Sequence, residues 1–384
     1  MSYLNNAATT WPKPECVVNA VRDFMLNGGA NSSRGSNSQR DMKTMNIMLD
    51  CRIKAAEFFG GYDDADPMLV TFTANITESL NVVLRGYLRK GMSVLTTSME
   101  HNAVMRPLRA LESEGVNIGI VSADSNGLIH AEDVKRKLAS AKYDLVVMSH
   151  ASNVCGTVQP VEEVAEICRE RSVPLVLDTA QTAGVLQLNA SELGLSALCF
   201  TGHKSLMGPQ GTGGIIWKRE FAERVEPLIT GGTGSYSHLE TQPEEMPDKF
   251  ESGTPNLPGI AGLNSAFDWL NDKGLEVIGE RENKTGQYFL EALKKIDGVI
   301  LSGLPEMSGR LPVFAFNVEG KDNGILADGL SRLGFETRPG LHCSPAAHKT
   351  LGTFPQGALR VSPGYFTEES EIDGFIGALR EVLR

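Results

Sequence analysis

Between about residues 14 and 220 the chain alternates short apolar runs with longer amphipathic stretches, and this alternation restricts the fold more than any other feature. The runs are MLVTFT (68–73), SVLTT (93–97), IGIV (118–121), LVVMS (145–149), PLVLD (174–178), ALCFT (197–201) and GGIIW (213–217). They are too short for ordinary helices and almost continuously apolar, as strands covered on both faces must be. The stretches between them, 79–90, 104–114, 131–141 and 161–171, carry apolar residues at helical spacing. Strand alternating with helix implies a large, doubly wound, mostly parallel sheet with helices on both faces, because parallel neighbours need a long crossover. The fold class expected is therefore α/β.

A chain of 384 residues exceeds what one core usually accommodates. From 230 to 258 the text is rich in Gly, Pro and polar residues without regular period, and a loop of that length is usually functional or sits at an interface. Beyond it helical patterns at 260–272, 275–296 and 323–333 mix with strand-like VFAFNV (313–318), ETRPG (336–340) and ALRVS (358–362). In the last helical stretch Ile372, Phe375, Ile376, Leu379 and Leu383 share one face, and Thr367 marks its start. The expected division is a large domain over 14–258 and a smaller α+β domain over 259–384, with residues 1–13 packing near the latter.

Composition narrows the function. A net charge of −11 argues against general affinity for nucleic acid or anionic membranes. No apolar run reaches membrane-spanning length and the opening residues do not read as a signal peptide, so the expected location is cytoplasmic. The six cysteines form no C-x-x-C pair and no zinc-spaced cluster with His, so no metal site is expected. Cys16, Cys51, Cys168 and Cys199 read as packing residues; Cys155 lies nearer the predicted rim without an assigned role.

Open parallel sheets bind ligands beyond the carboxyl ends of their strands. The polar residues there are Asn75 and Thr77, His101, Asn153, Asp178 with Gln181, and Thr201-Gly202-His203-Lys204. This set suits pyridoxal 5′-phosphate: Lys204 can hold the aldehyde as a Schiff base, Asp178 can keep the pyridine nitrogen protonated, and a helix N-terminus can receive the phosphate. GPQGTGG (208–214) lacks the Lys-Ser/Thr of a nucleotide phosphate loop and reads as a tight turn into the next strand.

In order and spacing, YLNNAATT (3–10), NITESLN (75–81), SMEHNA (98–103), SHASNVCGT (149–157), DTAQTAG (178–184), TGHKSLMGPQG (201–211), FESGTPN (250–256), RPGLHCSPAAH (338–348) and RVSPGYFT (360–367) resemble the class V aminotransferase superfamily. Within it the chain is similar to the cysteine desulfurases and selenocysteine lyases. The resemblance implies a fold-type I pyridoxal-phosphate transferase, with Lys204 as the Schiff-base lysine and Asp178 at the pyridine nitrogen. It further implies that His101 stacks on the ring, Gln181 sits near its phenolic oxygen, and Ile76, Thr77, Thr201 and His203 contact the phosphate. Thr254 matches a residue that reaches the neighbouring subunit's phosphate, which implies a homodimer.

Asn153 and Arg360 match substrate-carboxylate binders, joined by Arg338, and a guanidinium fork suits a carboxylate. Cys343 aligns with the cysteine whose thiolate takes the substrate sulfur as a persulfide, with His342 and Arg338 placed to favour the thiolate by charge. The short interval from Cys343 to Arg360 resembles desulfurases with a compact cysteine loop, which often use a sulfur-accepting partner. Two departures, K-S-L-M-G-P after the lysine and Asn75-Ile76 before Thr77, imply local geometry of its own at the phosphate end. The expected activity is conversion of L-cysteine to L-alanine. Selenocysteine lyase, cystine or cysteine-sulfoxide lyase, a transaminase, and a sulfur-relay subunit remain open.

Overall fold

The computed structural model describes residues 1–28, 30–31 and 38–384. After β1 (Ser2–Tyr3) the chain forms β2 (Val70–Thr73), β3 (Ser93–Thr97), β4 (Asn117–Val121), β5 (Leu145–Ser149), β6 (Leu175–Asp178), β7 (Ala197–Thr201) and β8 (Gly213–Trp217). These seven, β2 to β8, make one sheet in the order β2-β8-β7-β6-β5-β3-β4. The neighbours from β7 to β4 are parallel, while β8 is antiparallel to both β7 and β2. The reversal follows from chain length: only residues 202–212 connect β7 to β8, too few for a crossover helix. Gly213 therefore lies beside Thr201 and Thr73, so the start of β8 meets the carboxyl ends of its neighbours.

The continuous apolar runs cover two faces, as the sequence implies. Val146, Met148, Leu175 and Leu177 enter one core with Val164, Phe59 and Phe267, whereas Leu145, Val147 and Val176 enter the other with Leu80, Val83 and Leu108. The expected crossover helices are observed as Ile76–Tyr87, Asn102–Ser113, Ala131–Ser140 and Val161–Glu170. The first begins three residues earlier than its apolar period, because the Asn75 side chain caps it by accepting from Glu78 N. The long helix Gln39–Phe58 went unassigned from sequence; its apolar stripe is poorly defined, and it is buried by packing on the helix Leu257–Lys273.

A smaller antiparallel sheet contains β9 (Val299–Ser302) and β10 (Phe314–Val318). After β11 (Phe335–Glu336) it is completed by β12 (Arg338–Gly340) and β13 (Ala358–Val361), in the order β12-β13-β10-β9. Helices Leu275–Leu293, Asn323–Arg332 and Glu369–Leu383 cover it, and Phe289, Leu330, Phe375 and Leu379 share their core with Phe314 and Phe316. The last helix is capped by Glu368 and Glu371 rather than by Thr367, whose hydroxyl accepts from Gly364 N instead. The N-terminal segment joins this unit, since β1 pairs with β11 and Asn5 bridges Ser362. Helix Leu257–Lys273, placed by sequence in the smaller unit, sends Ile260, Leu263, Phe267 and Leu270 into the core of the large sheet.

The expected loop holds neither helix nor strand from 223 to 256. It is nonetheless anchored: Phe250 stacks on Trp217 with centroids 4.6 Å apart, and Glu251 accepts from Phe72 N and pairs with buried Arg52. Among the described residues no helix is long and apolar enough to cross a membrane.

Candidate active site

Parallel strands leave their last residues on one rim, and there the structure gathers Asp178, Ser149, Thr201 and Lys204. Asp178 ends β6 and is buried; its Oδ1 accepts from Ala180 N at 2.9 Å. Burial pushes its carboxyl upward, while the Ala180 N–H and the Lys204 charge oppose that. Lys204 lies in the tight β7–β8 connection, where a Cβ on Gly202 would stand 2.1 Å from Thr212 Oγ1, so a larger residue there would force a shift. Burial lowers the Lys204 pKa to about 8 against the pull of Asp178, with Arg360 and Arg338 adding to the fall. An ordinary lysine is thereby brought toward the range of a working base.

The N-terminal segment fixes the residue before it. His203 O accepts from Thr10 N at 3.0 Å, Thr9 Oγ1 at 3.1 Å and Lys13 Nζ at 2.7 Å. Gln181 is buried and donates to Ala7 O at 3.2 Å. His101 caps helix Asn102–Ser113, its Nδ1 accepting from Ala103 N at 3.0 Å. Burial, aided by Lys204 and the arginines, lowers its pKa to about 3, so the ring is neutral at pH 7.

At the other end of the rim lies the N-terminus of helix Ile76–Tyr87. The Ile76 side chain is buried in the apolar core, leaving its backbone N–H as the group available to an anion, while Thr77 is exposed. Thr201 is buried with its hydroxyl 3.5 Å from Thr212 O, and His203 Nδ1 is buried without a partner among the described residues. Exposed Thr254 lines a cavity of about 620 Å³ with Thr73, Ala74, Glu78 and Gly211.

Arg360, on β13, is 1% exposed. It donates to Asn153 O and Asn5 Oδ1, both at 2.9 Å, and its Nε has no partner. Its strand neighbour is Arg338, and no carboxylate pairs with it among the described residues. A buried cation answered only by neutral acceptors is arranged for an incoming anion. The side chain of Asn153, expected at the substrate carboxylate, also reaches the cysteine loop: Nδ2 donates one hydrogen to His342 O at 2.8 Å and Oδ1 accepts from Ser344 Oγ at 2.6 Å. It holds the cysteine loop.

Cys343 is exposed, with φ +58, and its carbonyl accepts from Asn102 N at 2.8 Å. Arg338 Nη2 stands 3.9 Å from its Sγ. His342 does not join it, contrary to the reading from sequence. The imidazole is turned inward onto Arg338 O and His348, and burial lowers its pKa to about 3, so it brings no charge to the thiol. Cys16 is likewise exposed rather than packed, whereas Cys51, Cys155, Cys168 and Cys199 are buried.

Four site residues went unremarked in the sequence: Asn5, Lys13, Glu100 and His348. Glu100 is wholly buried beside His101 and accepts from Thr97 Oγ1 at 2.6 Å and Ser149 Oγ at 2.7 Å. Burial raises its carboxyl to about 7. Its adjacency to His101 was the available signal; Lys13 and Asn5 gave none, since both act from far along the chain.

The donor set fits pyridoxal phosphate. A buried acid faces a lysine that has no hydrogen bond among the described residues, a neutral imidazole flanks them, and His203 Nδ1 is buried with no partner among the described residues. The aminotransferase class-V family model matches residues 2–375. A probable cysteine desulfurase of Pyrococcus abyssi is 30% identical over 390 residues, covering 100% of this chain and 94% of that protein. The apo structure of cysteine desulfurase from Thermococcus onnurineus superposes with a TM-score of 0.91 at 29% identity, over 99% of this chain and 94% of that one. A cysteine desulfurase structure from Escherichia coli, in S-sulfonic acid form, gives 0.86 at 25% identity, over 99% and 94%.

Proposed function

The chain belongs to the aminotransferase class-V family, and from that membership we propose that it is a homodimeric pyridoxal-phosphate-dependent cysteine desulfurase that converts L-cysteine to L-alanine. The observation that carries this reading is Cys343, exposed beside Arg338 and close enough to Lys204 to bear on its charge. Full-length relatives and structural neighbours named as cysteine desulfurases support it.

Lys204, Asp178, His101 and Gln181 would hold the cofactor ring, and the N–H groups at Ile76 and Thr77, with Thr201 and His203, its phosphate. Bound there, pyridoxal phosphate supplies a carbonyl that condenses with amines and an electron sink for the carbon next to the carboxylate. Arg360 receives the substrate carboxylate and so turns the α-hydrogen toward Lys204. Lys204 Nζ, its basicity lowered by burial, takes that proton and later returns one. Cys343 Sγ attacks the substrate sulfur: an S–S bond forms as the carbon–sulfur bond breaks, and the electron pair stays with the carbon skeleton, which is protonated to alanine. The persulfide on Cys343 then passes to an acceptor protein or a small thiol, for which the exposed position of the loop leaves access. In the homodimer Thr254, which is exposed beside the phosphate end, would reach the phosphate of the second subunit.

The test is alanine and sulfide release from L-cysteine with a thiol reductant, on the wild type and Cys343→Ala. Equal amounts of both products, lost in the variant while the cofactor stays bound, are expected. Pyruvate and ammonia, or equal activity in the variant, would move the assignment to a lyase.

A further inference from the structure

Beneath Cys343 two imidazoles stand in series. His342 Nε2 lies 2.9 Å from Arg338 O, His342 Nδ1 lies 3.1 Å from His348 Nε2, and His348 Nδ1 lies 2.7 Å from Thr353 Oγ1. One end fixes every proton. A carbonyl only accepts, so His342 Nε2 carries the hydrogen; His342 Nδ1 must then accept from His348 Nε2, and His348 Nδ1 from the Thr353 hydroxyl. Both rings are buried, His348 completely, and burial aided by Arg360 keeps both neutral.

The chain of bonds ends where the backbone needs support. His342 and Cys343 have φ of +50 and +58, successive left-handed positions that side chains disfavour and that persist only when their surroundings over-determine them. Asn153 Nδ2 holds His342 O and Asn102 N holds Cys343 O, each at 2.8 Å. Ser344 Oγ adds a longer contact to His342 O at 3.5 Å, and the ring supplies a further hold whose inner partner is His348. His348 is carried by the helix Pro345–Thr350, and its carbonyl receives Thr353 N at 2.9 Å, which closes the turn that supplies the hydroxyl.

We propose that His348 is a positioning residue for Cys343: through His342 it latches the cysteine loop in the left-handed conformation that sets the thiol outward beside Arg338. This rests on the desulfurase reading, in which Cys343 is the sulfur acceptor. His348 touches none of the reacting groups, so its effect falls on the thiol step and spares the proton step at Lys204.

The experiment uses the cofactor-loaded enzyme with His348→Leu, His348→Gln and Thr353→Val. Three rates are compared: alanine formation from L-cysteine; exchange of the L-alanine α-proton in deuterated buffer, which needs Lys204 but no thiol; and alkylation of Cys343 by iodoacetamide at pH 7, located by peptide mass. His348→Leu is expected to lower alanine formation at least tenfold and Cys343 alkylation at least threefold, with exchange within twofold of wild type. His348→Gln, which keeps a donor toward His342, recovers part of both losses. Thr353→Val, a smaller change that decides the matter if His348→Leu does not fold, gives the same split at lesser amplitude. Alanine formation and exchange falling together, or neither falling, would overturn the latch. Should the wild type itself form no alanine, the desulfurase reading fails instead, and the alkylation rates still decide whether His348 holds Cys343.

Discussion

Replacing Arg360 by Met separates binding from folding in a way the structure lets one calculate. The side chain is enclosed, yet its partners are two neutral oxygens at 2.9 Å and a like-charged neighbour in Arg338. Two hydrogen bonds from a charged donor are worth about 1.5–3 kcal/mol each. Against them stands a desolvation cost of several kcal/mol for an ion without a counter-ion. The two terms nearly cancel, so Arg360→Met is expected to change stability by no more than about 2 kcal/mol, read as a melting shift of only a few degrees. Binding has no such compensation. Loss of a charge-assisted carboxylate contact costs about 3–4 kcal/mol, or a 10²–10³-fold fall in kcat/KM for L-cysteine. Cysteamine, which has no carboxylate, provides the control: its binding, followed by cofactor absorbance, should be similar in both proteins. A melting loss beyond about 10 °C, or a fall in kcat/KM of less than tenfold, would refute the view that Arg360 is a cation awaiting its anion.

Cys343→Gly should abolish alanine formation yet leave stability unchanged or higher by about 1 kcal/mol in urea titration, since glycine accepts the positive φ without strain. Glu282 is buried with a backbone N–H of Tyr365 as its support, and burial raises its pKa to about 8 from 4.5. Its folded pKa being the higher, the stability it confers is full below about pH 4.5 and declines as pH rises to 8. Glu282→Gln should therefore match wild type near pH 4.5 and exceed it at pH 7 by on the order of 3 kcal/mol in denaturant titrations at the two values. Phe267→Ala, which empties a site wedged against Phe58 and Phe59 at centroid distances of 5.3 and 6.4 Å, should cost about 3–5 kcal/mol, measured by urea unfolding.

The large sheet was legible because each strand is buried on both faces and therefore written as an uninterrupted apolar run; β5, β7 and β8 begin and end where the runs do. Helix Gln39–Phe58 was not, because its burial depends on the helix Leu257–Lys273, far later in the chain. Lys204 and Asp178 stood out in the sequence by their place at strand ends and their chemistry, whereas Arg360 came to notice only through the family resemblance. His342 shows the limit: its place before Cys343 suggested a charge for the thiol, and only the direction of its ring, set by Arg338 O and His348, shows it neutral and inward.

By itself the sequence determined the alternation that forces a doubly wound sheet, the tight turn into β8, and the residue types that stand at the rim. Those are local consequences of period, connection length and strand ends. The tertiary structure alone decided that Asn5 meets Arg360, that Lys13 holds His203, that Asn153 reaches the cysteine loop, and that His348 lies under Cys343. Protonation and reach depend on which distant segments exclude water and supply donors, and no stretch of chain carries that information before it is packed.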